Sequence, residues 1–482
     1  MKKLNDLYPG IGTDIVIKRI SINSKEVEKG DLFVCTMGVT ADRHDFIDAA
    51  INNGASAIVV SKDIRDKSVP IIKVPDTNRE LPYLCQKFYD YTDTKMKMIG
   101  VTGTDGKTST ATVVQTLIGS DICGYIGTNG RNCAAFSGDN PNTTPDAHIL
   151  YDYLDEFVNF NCKYVVSEAS SEAFFRGRLQ AMKYDVSIYT NITSEHLNIH
   201  GSFENYMDSK LMLFRQTKED GICVINKDDI YYEQVKSACN GRVVTYGMDA
   251  SNTLQIVEFK VFPNKTDITF NYKNNIFSVK SPLLGDFNVY NLAGGLLACL
   301  ELGFKLDDLI ENISKINVDG RLQLLNTKTP YYVMVDYAHT PNGISRLLNF
   351  VHTLDINRSI VVIGQAGERD NLKRPKVGNV VVENATYAIF TYEDPRSEDP
   401  AKICEDIISE LKDTHDNYEI VIDRREAIQK AINMAKEKDM VLILGKGNET
   451  YEKLKNETIY FNDIEEAYQA VVNRDLKESI NN

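Results

Sequence analysis

The sequence predicts an α/β protein of three domains in a row, with mostly parallel, doubly wound sheets. Three observations predict it. At 482 residues the chain has room for about three domains. Apolar strand-like runs alternate with helical stretches along most of that length, the pattern of strands covered by helices on both faces. A glycine-rich loop ending in Lys107-Thr108 falls between one such run and the helical stretch after it.

The elements follow in order. GDLFVCTMG and ASAIVVS are β-type runs around the helical DFIDAAINNG, a small α/β domain over residues 1–91. The strand-like KMKMIGV opens the second domain, residues 92–325, in which YVVSEAS, DVSIYTNI and GICVIN are further strands. A β-rich insert runs from Leu254 to Leu284 (IVEFKVF, DITFNY, IFSVKS). After Gly320-Arg321 the alternation restarts with YYVMVDY, SIVVIG, TYAIFTY, YEIVID and MVLILG, giving a Rossmann-like third domain over residues 326–482.

Composition excludes several classes. With 54 basic and 68 acidic residues the formal charge is -14, which disfavours nucleic acid and anionic membranes as partners. The opening MKKLNDLYPG has no apolar run behind its lysines and so is not a secretory leader. No stretch approaches the ~18 apolar residues of a membrane span. Nine cysteines without a CxxC pair read as free thiols in a reducing cytoplasm, and neither a zinc site nor a disulfide framework is supported.

The strongest motif is Gly100-Val-Thr-Gly-Thr-Asp-Gly-Lys-Thr-Ser109, which makes the central sheet P-loop ATPase-like. Small residues let backbone N–H groups converge on phosphate oxygens, and the following helix adds positive potential at its start. Lys107 reaches toward β- and γ-phosphates and Thr108 offers a hydroxyl to Mg²⁺ in this kind of loop. The strict GxxxxGK[ST] spacing fails, because position 101 is valine; the bland alternative is a glycine-rich turn that binds nothing. Asn226-Lys-Asp-Asp229 fits the guanine signature NKxD, but Asp121-Ile-Cys-Gly124 lies too close to the loop to be its DxxG partner, so the match is coincidence.

The segment 202–214 has helical periodicity, with Phe203, Tyr206, Met207, Leu211 and Phe214 on one face. Lys210 falls on that same apolar face. On pattern alone its ammonium snorkels to water; the alternative is a carbamate that binds a metal through its anionic end. Glu168 closes the run YVVSE and His196 follows DVSIYTNI, so both should emerge on the rim that carries the phosphate loop, where open α/β sheets bind ligands.

GTDGKTS, TNITSEHLNIHGSFENYMDSK, LLGDFNVYN, GRLQLL, DYAHTP, GERDNLKRP, DPRSEDP and GKGNE occur in one order along the chain. As a set they resemble the Mur ligases of peptidoglycan synthesis over essentially the whole length, and within them the diamino-acid-adding, MurE-type branch. NSKEVEKGDLFVC and the AD of TMGVTADRHDF look like that branch's UDP-binding signature. The resemblance implies ATP and Mg²⁺ as cofactors and a UDP-sugar peptide and a free amino acid as substrates, in a monomer. It implies that Gly103, Thr104, Asp105, Gly106, Lys107, Thr108 and Ser109 hold ATP, with Asn288, Asn291, Arg321, Asp336 and His339 completing that site. Thr108, Glu168, His196 and a carbamylated Lys210 would hold Mg²⁺. Ser24, Asn142, Thr143, Thr144, Ser170 and Arg178 would contact the UDP-sugar peptide, and Arg369, Asp394, Arg396, Gly445 and Glu449 the incoming amino acid. A carboxylate of the acceptor would be phosphorylated and then attacked by the amine.

The chain departs from the family pattern in both substrate regions. EVSSH reads Glu168-Ala-Ser-Ser-Glu172, Arg176 stands near the place where a glutamine is expected, DNPR reads Glu393-Asp394-Pro395-Arg396, and GKGHE has Asn448 for its histidine. Arg396 favours a substrate with a distal carboxylate, whereas Asp394 would repel that group or pair with a distal amine. Two alternatives to a diamino-acid-adding ligase follow: a paralogue with another acceptor or amino acid, and a catalytically silent nucleotide-binding module.

Overall fold

Runs such as Ala-Ile-Val-Val place branched apolar side chains on both faces of an extended chain, so they are stable only as strands covered from both sides. The computed structural model describes residues 1–38, 41–193, 195–411 and 415–481. Val39 and Thr40 of the TMGVTAD stretch and Ser194 of the TNITSEH run lie outside them. The chain falls into two compact units, one of residues 1–256, 271–275 and 290–312, the other of residues 257–270, 276–289 and 313–482.

After a short antiparallel pair, Lys2–Lys3 with Val16–Ile17, the first unit holds four parallel strands, β1 Arg19–Ser21, β2 Asp31–Val34, β3 Ala57–Val60 and β4 Ile71–Lys73, followed by α1 Thr77–Phe88. The helix expected over DFIDAAINNG is shorter than the pattern suggests: a 3-10 turn over Arg43–Phe46 precedes an α-helical Ile47–Asn52. Next come β5 Lys97–Thr102, α2 Lys107–Ile118, β6 Cys123–Gly127, β7 Gly130–Cys133, β8 Phe136–Gly138, α3 Ala147–Asn159, β9 Tyr164–Glu168, α4 Ser171–Phe175, β10 Tyr184–Tyr189, α5 Phe203–Arg215, β11 Thr217–Asn226 and β12 Arg242–Gly247. They pair in the order β8-β7-β6-β9-β5-β10-β11-β12, parallel from β6 onward. Strand β5 is therefore central, and the two strands beside it are β9 and β10. Register sets Glu168 opposite Val101 and Tyr189 opposite Thr102, so the ends of all three strands share one rim.

Helix α6, Asp286–Glu301, follows the three strands of the β-rich insert, Leu254–Phe262, Lys265–Tyr272 and Asn275–Ser281. The second unit then holds β13 Gln323–Leu324, β14 Tyr332–Asp336, α7 Pro341–His352, β15 Ser359–Ile363, α8 Arg374–Asn384, β16 Tyr387–Phe390, α9 Pro400–Ile408, β17 Tyr418–Ile420, α10 Arg424–Met434, β18 Met440–Leu444 and α11 Asp463–Asn481. Its sheet runs β13-β14-β18-β15-β16-β17, parallel except at β13. Alternation along one strand explains the double winding. Met440, Leu442 and Leu444 of β18 join the core under α7, α8 and α9, whereas Val441 and Ile443 join the core under α10 and α11. Among the described residues no helix is long and apolar enough to cross a membrane.

Candidate active site

The loop between β5 and α2 is held by backbone and by absence of side chains. Gly106 caps α2 at φ +82°, and a Cβ there would lie 2.2 Å from Asn291 Oδ1 of α6. A Cβ on Gly103 would lie 1.8 Å from Thr190 Oγ1. The loop is stitched to the end of β10: Thr104 N donates to Asn191 O (2.8 Å), Asp105 N to Asn191 Oδ1 (3.0 Å) and Thr190 Oγ1 to Asp105 O (2.7 Å). Thr110 Oγ1 donates to Asn291 Oδ1 at 3.3 Å, while Ser109 is buried in α2. Together these fix a tight loop ahead of a helix N-terminus, the geometry that favours bound phosphate.

Glu168 ends β9 and is 1% exposed. Its Oε1 accepts from Tyr125 OH and Thr128 N, both at 2.8 Å, and its Oε2 from Thr108 Oγ1 at 3.0 Å and Thr128 Oγ1 at 3.3 Å. Four donors aimed at one buried carboxyl hold it in a fixed orientation. Gly127 makes room for it, since a Cβ there would sit 2.3 Å from Oε1.

Lys210 lies on the buried face of α5 and is 2% exposed, so its ammonium does not snorkel to water. Instead Nζ donates to Gly103 O at 2.6 Å and stands 4.5 Å from the centre of the Tyr206 ring. The reason is length: a lysine stem in mid-helix, packed among Tyr206, Leu213 and Phe214, reaches the phosphate loop before it reaches solvent. Burial, and next the charge of Lys107, hold the Lys210 pKa well below the ordinary lysine range. Lys107 Nζ donates to Gly103 O (2.9 Å) and Thr104 O (2.8 Å). The Tyr206 hydroxyl meets Thr104 Oγ1 at 2.9 Å, tying α5 to the loop a second time.

His196 is less engaged. Its side chain is about half exposed, in a left-handed backbone at φ +54°, with Glu195 Oε2 3.8 Å from its Nε2. Among the described residues no three Asp, Glu, His or Cys side chains converge to hold one ion. The expected quartet is therefore assembled in part: Thr108 and Glu168 touch, and Lys210 meets the loop. The histidine buried against α5 is His200, which contacts Ser171 Oγ (3.2 Å) and Ser209 Oγ (3.4 Å) and packs edge-on to Tyr206.

A cavity of about 970 Å³ opens beside this rim, lined by Arg43, Asn78, Arg79, Glu172, Arg176 and Arg178 among others, with Asn205, Ser209 and Met212 of α5 on one wall. Of the residues expected at the UDP-sugar peptide, Arg178 lines it. Arg178 pairs with Asp146 at 2.7 Å and donates to Thr144 O at 3.0 Å. Thr144 and Ser170 buttress the wall, with Thr144 Oγ1 donating to Glu168 O (2.6 Å) and to Ser170 Oγ (3.0 Å). Thr143 meets Thr128, Asn142 is exposed, and Ser24 is buried at the start of a 3-10 turn; none of these three lines the cavity.

In the second unit, motifs far apart in sequence converge. Gly320 packs on Gly447 and Asn448, Gly447 packs on Tyr337, and Arg321 stacks over Tyr337 at 4.9 Å. Asp336 accepts from Leu322 N and Ala338 N, both at 2.7 Å, with burial raising its pKa. His339 Nδ1 meets Tyr337 O at 2.9 Å, and Asn288 donates to Leu284 O at 2.8 Å.

Close to them, Asp394 pairs with the buried Lys446 at 2.9 Å, and Lys446 also lies 3.4 Å from Glu449. The carboxylate expected to repel a substrate thus carries a built-in cation, because the second residue of GKGNE points inward. Gly445, at φ +114°, leaves space for Glu393: a Cβ would stand 2.0 Å from Oε1. That Oε1 is buried and, among the described residues, has no hydrogen-bond partner; burial pushes the Glu393 pKa up to about 7. Arg396 donates through Nη1 to Gly367 O at 3.3 Å from a left-handed backbone, and Arg369 is exposed.

The NKxD letters serve structure. Asn226 donates to Thr190 O, Asp228 accepts from Met248 N and Tyr290 OH, and Asp229 accepts from Tyr189 OH. Sequence reasoning did not single out Tyr125, Thr128 or Lys446, and it read Tyr206 only as part of an apolar helix face and Glu393 only as a departure from DNPR. Tyr206, Glu393 and Lys446 sat inside motifs; Tyr125 and Thr128 act through long-range pairing with no local spacing.

Three family models match the chain: the Mur ligase family catalytic domain over residues 16–98, the Mur ligase middle domain over 101–299 and the Mur ligase glutamate ligase domain over 320–447. The UDP-N-acetylmuramoyl-L-alanyl-D-glutamate--2,6-diaminopimelate ligase of Clostridium perfringens is 33% identical over 483 residues, covering 96% of this chain and 98% of its own. That of Bacillus cereus is 36% identical over 467 residues, covering 95% and 94%. A solved structure of such a ligase matches with a TM-score of 0.72 at 27% identity, covering 98% of this chain and 99% of its own. MurF ligase from Thermotoga maritima in complex with ADP shares the fold, with a TM-score of 0.62 at 19% identity over 97% of this chain and 99% of its own.

Proposed function

Because the chain belongs to the Mur ligase family, we propose that it is an ATP-dependent ligase adding a diamino acid, meso-diaminopimelate in the first place, to UDP-N-acetylmuramoyl-L-alanyl-D-glutamate. ADP and phosphate are the other products. The observation that carries the reading is the meeting of Lys107, Lys210, Thr108 and Glu168 around one phosphate loop at the end of β5. A cytoplasmic, monomeric enzyme with functional segments 1–91, 92–325 and 326–482 is part of the same reading.

The chemistry follows from charge. The acceptor carboxylate attacks the γ-phosphate of ATP, its oxygen forming the new P–O bond as the bond to ADP breaks, and this yields an acyl phosphate. Negative charge spreads over the transferring group, so catalysis rests on positioning and on cations already in place. Lys107, pinned on loop carbonyls, needs only a side-chain swing to meet those oxygens. The loop N–H groups and the start of α2 take the phosphates. The amine of the incoming amino acid then attacks the acyl carbon, and phosphate leaves.

The Thr108 hydroxyl and Glu168 carboxylate, 3.0 Å apart, are hard oxygen donors that fit Mg²⁺. Bound there, Mg²⁺ would neutralise phosphate charge. Lys210 suits carbamylation for a stated reason: its depressed pKa supplies the unprotonated amine that attacks CO₂, forming an N–C bond and releasing a proton. The resulting anion would lie beside the Lys107 cation.

Phosphate release from ATP with the UDP-muramoyl dipeptide and a panel of amino acids tests the reading. Turnover with meso-diaminopimelate supports it. Turnover only on another acceptor would favour a paralogue, and ATP binding without turnover anywhere would favour a silent module.

A further inference from the structure

The two oxygens of Glu168 meet different kinds of donor. Among the described residues, Oε1 accepts from Tyr125 OH and Thr128 N, both at 2.8 Å, and Oε2 accepts from Thr108 Oγ1 at 3.0 Å and Thr128 Oγ1 at 3.3 Å. The donors to Oε1 cannot turn away. Thr128 N belongs to the two-residue turn between β6 and β7, closed by the Gly127–Gly130 pair. Tyr125 lies in β6 at 1% exposure, and its hydroxyl accepts from Asn129 N of the same turn at 3.4 Å, which leaves its proton for Glu168. The donors to Oε2 are threonine hydroxyls, which rotate, and that of Thr128 has a second partner in Thr143 Oγ1 at 3.1 Å.

Gly127 makes this meeting possible. A Cβ there would lie 2.3 Å from Glu168 Oε1 and 2.4 Å from the Tyr125 hydroxyl, so carboxylate and phenol approach each other over a residue without a side chain. A phenylalanine at position 125 would fill the same volume, so packing alone does not call for the hydroxyl. Its work is at Glu168.

A cation arriving beside Thr108 can displace the rotating hydroxyls from Oε2, while Oε1 stays engaged. We propose that Tyr125 is a positioning residue that withholds Oε1 of Glu168 from the ion, so that the carboxylate presents one oxygen and the site selects Mg²⁺ over Ca²⁺. The selection follows from size. Ca²⁺ gathers about six to eight oxygens and readily takes both from one carboxylate, whereas Mg²⁺ demands a compact octahedron that one oxygen per carboxylate suits. The inference rests on the Mg²⁺ site of the ligase reading and adds a specificity-determining residue to it.

The test is the affinity of the full-length protein for Mg²⁺ and for Ca²⁺ with a saturating non-hydrolysable ATP analogue, read from the rise of melting temperature with ion concentration. Tyr125→Phe keeps the ring and removes the hydroxyl. It should weaken Mg²⁺ binding about threefold to tenfold, Thr128 N still holding Oε1, and narrow the preference for Mg²⁺ over Ca²⁺ by about threefold or more. Thr128→Val removes a rotating donor from Oε2 alone and should leave that preference within about twofold. A tyrosine that served only packing would change the two affinities equally or not at all. Either result in Tyr125→Phe would overturn the inference, as would an equal change of preference in Thr128→Val or no preference for Mg²⁺ in the unmodified protein. Binding of neither ion would overturn the metal site and the inference together. Selective Mg²⁺ binding without ligation of any acceptor would overturn the ligase reading and leave the role of Tyr125 standing.

Discussion

Lys107 and Lys210, 103 positions apart in the chain, donate to the same carbonyl oxygen, that of Gly103, at 2.9 and 2.6 Å. Two cations on one acceptor repel, and only Lys210 is also buried, so Lys210 carries the depressed pKa. The sign of its effect on stability follows. The unfolded chain binds a proton at Lys210 that the folded chain does not, so stability rises with pH between the folded pKa and the ordinary lysine value near 10.5. Lys210→Met, close in volume and uncharged, should raise the melting temperature, more at pH 7 than near pH 10, while abolishing ligation. A melting temperature that falls equally at both pH values would contradict the desolvation argument. Lys210→Ala with added short carboxylates should recover part of the activity if a carbamate is required.

Glu168→Gln should be damaging in two separable ways. An amide keeps one acceptor oxygen for Tyr125 OH and Thr128 N, but its N–H₂ group can only donate, so the Thr108 and Thr128 hydroxyls must turn from donors into acceptors. Stability should drop by roughly 0.5–1.5 kcal/mol, the worth of about one hydrogen bond weakened in that rearrangement. The Mg²⁺ concentration giving half-maximal activity should rise by about tenfold or more, together with a large fall in kcat. Chemical denaturation and a Mg²⁺ titration of activity measure the two effects independently, and an unchanged Mg²⁺ requirement would remove Glu168 from the metal site.

Much of this arrangement was legible because its signals are local. The glycine spacing, the apolar run before it and the helical run after it placed the phosphate loop on β5 and α2. Lys210 was identified as out of place by helical periodicity, yet its destination was not: whether a four-carbon stem finds water or a carbonyl depends on what packs above α5, which only tertiary structure decides. The same limit hid the donors to Glu168, since Tyr125 and Thr128 reach it through the pairing of β6 with β9. It also made Asp394 look like an unpaired charge. The Asp394–Lys446 bond joins two motifs whose meeting is set by the order of strands in the second sheet.

Glu393 should give the second unit a pH-sensitive stability of its own. Burial raises its folded pKa to about 7 from the ordinary 4.5. The folded state then binds more protons than the unfolded state between those values, so this contribution is complete below about pH 4.5 and is lost as pH rises through about 7. Glu393→Gln keeps the shape without the ionisation. Relative to the unmodified protein, the variant should be more stable at pH 8 than at pH 6, by about 1.4 kcal/mol, the worth of the one pH unit between 6 and the folded pKa. Parallel pH–stability curves for the two proteins would show that Glu393 does not titrate in this range.

Asp394→Asn restores the residue expected in the family pattern, and its outcome depends on Lys446. In the present arrangement Lys446 is 1% exposed, with Asp394 at 2.9 Å and Glu449 at 3.4 Å. Neutralising Asp394 leaves a buried ammonium with one more distant carboxylate, which should destabilise the fold by roughly 3–5 kcal/mol if nothing else moves. It should also free positive potential toward an incoming amino acid, which favours a distal carboxylate over a distal ammonium. The expected result is a less stable enzyme whose kcat/KM ratio for meso-diaminopimelate over L-lysine increases. Asp394→Asn/Lys446→Met removes both charges and should recover stability without that gain in preference. Equal selectivity in all three proteins would mean that the Asp394–Lys446 pair holds the loop together and does not read the amino acid.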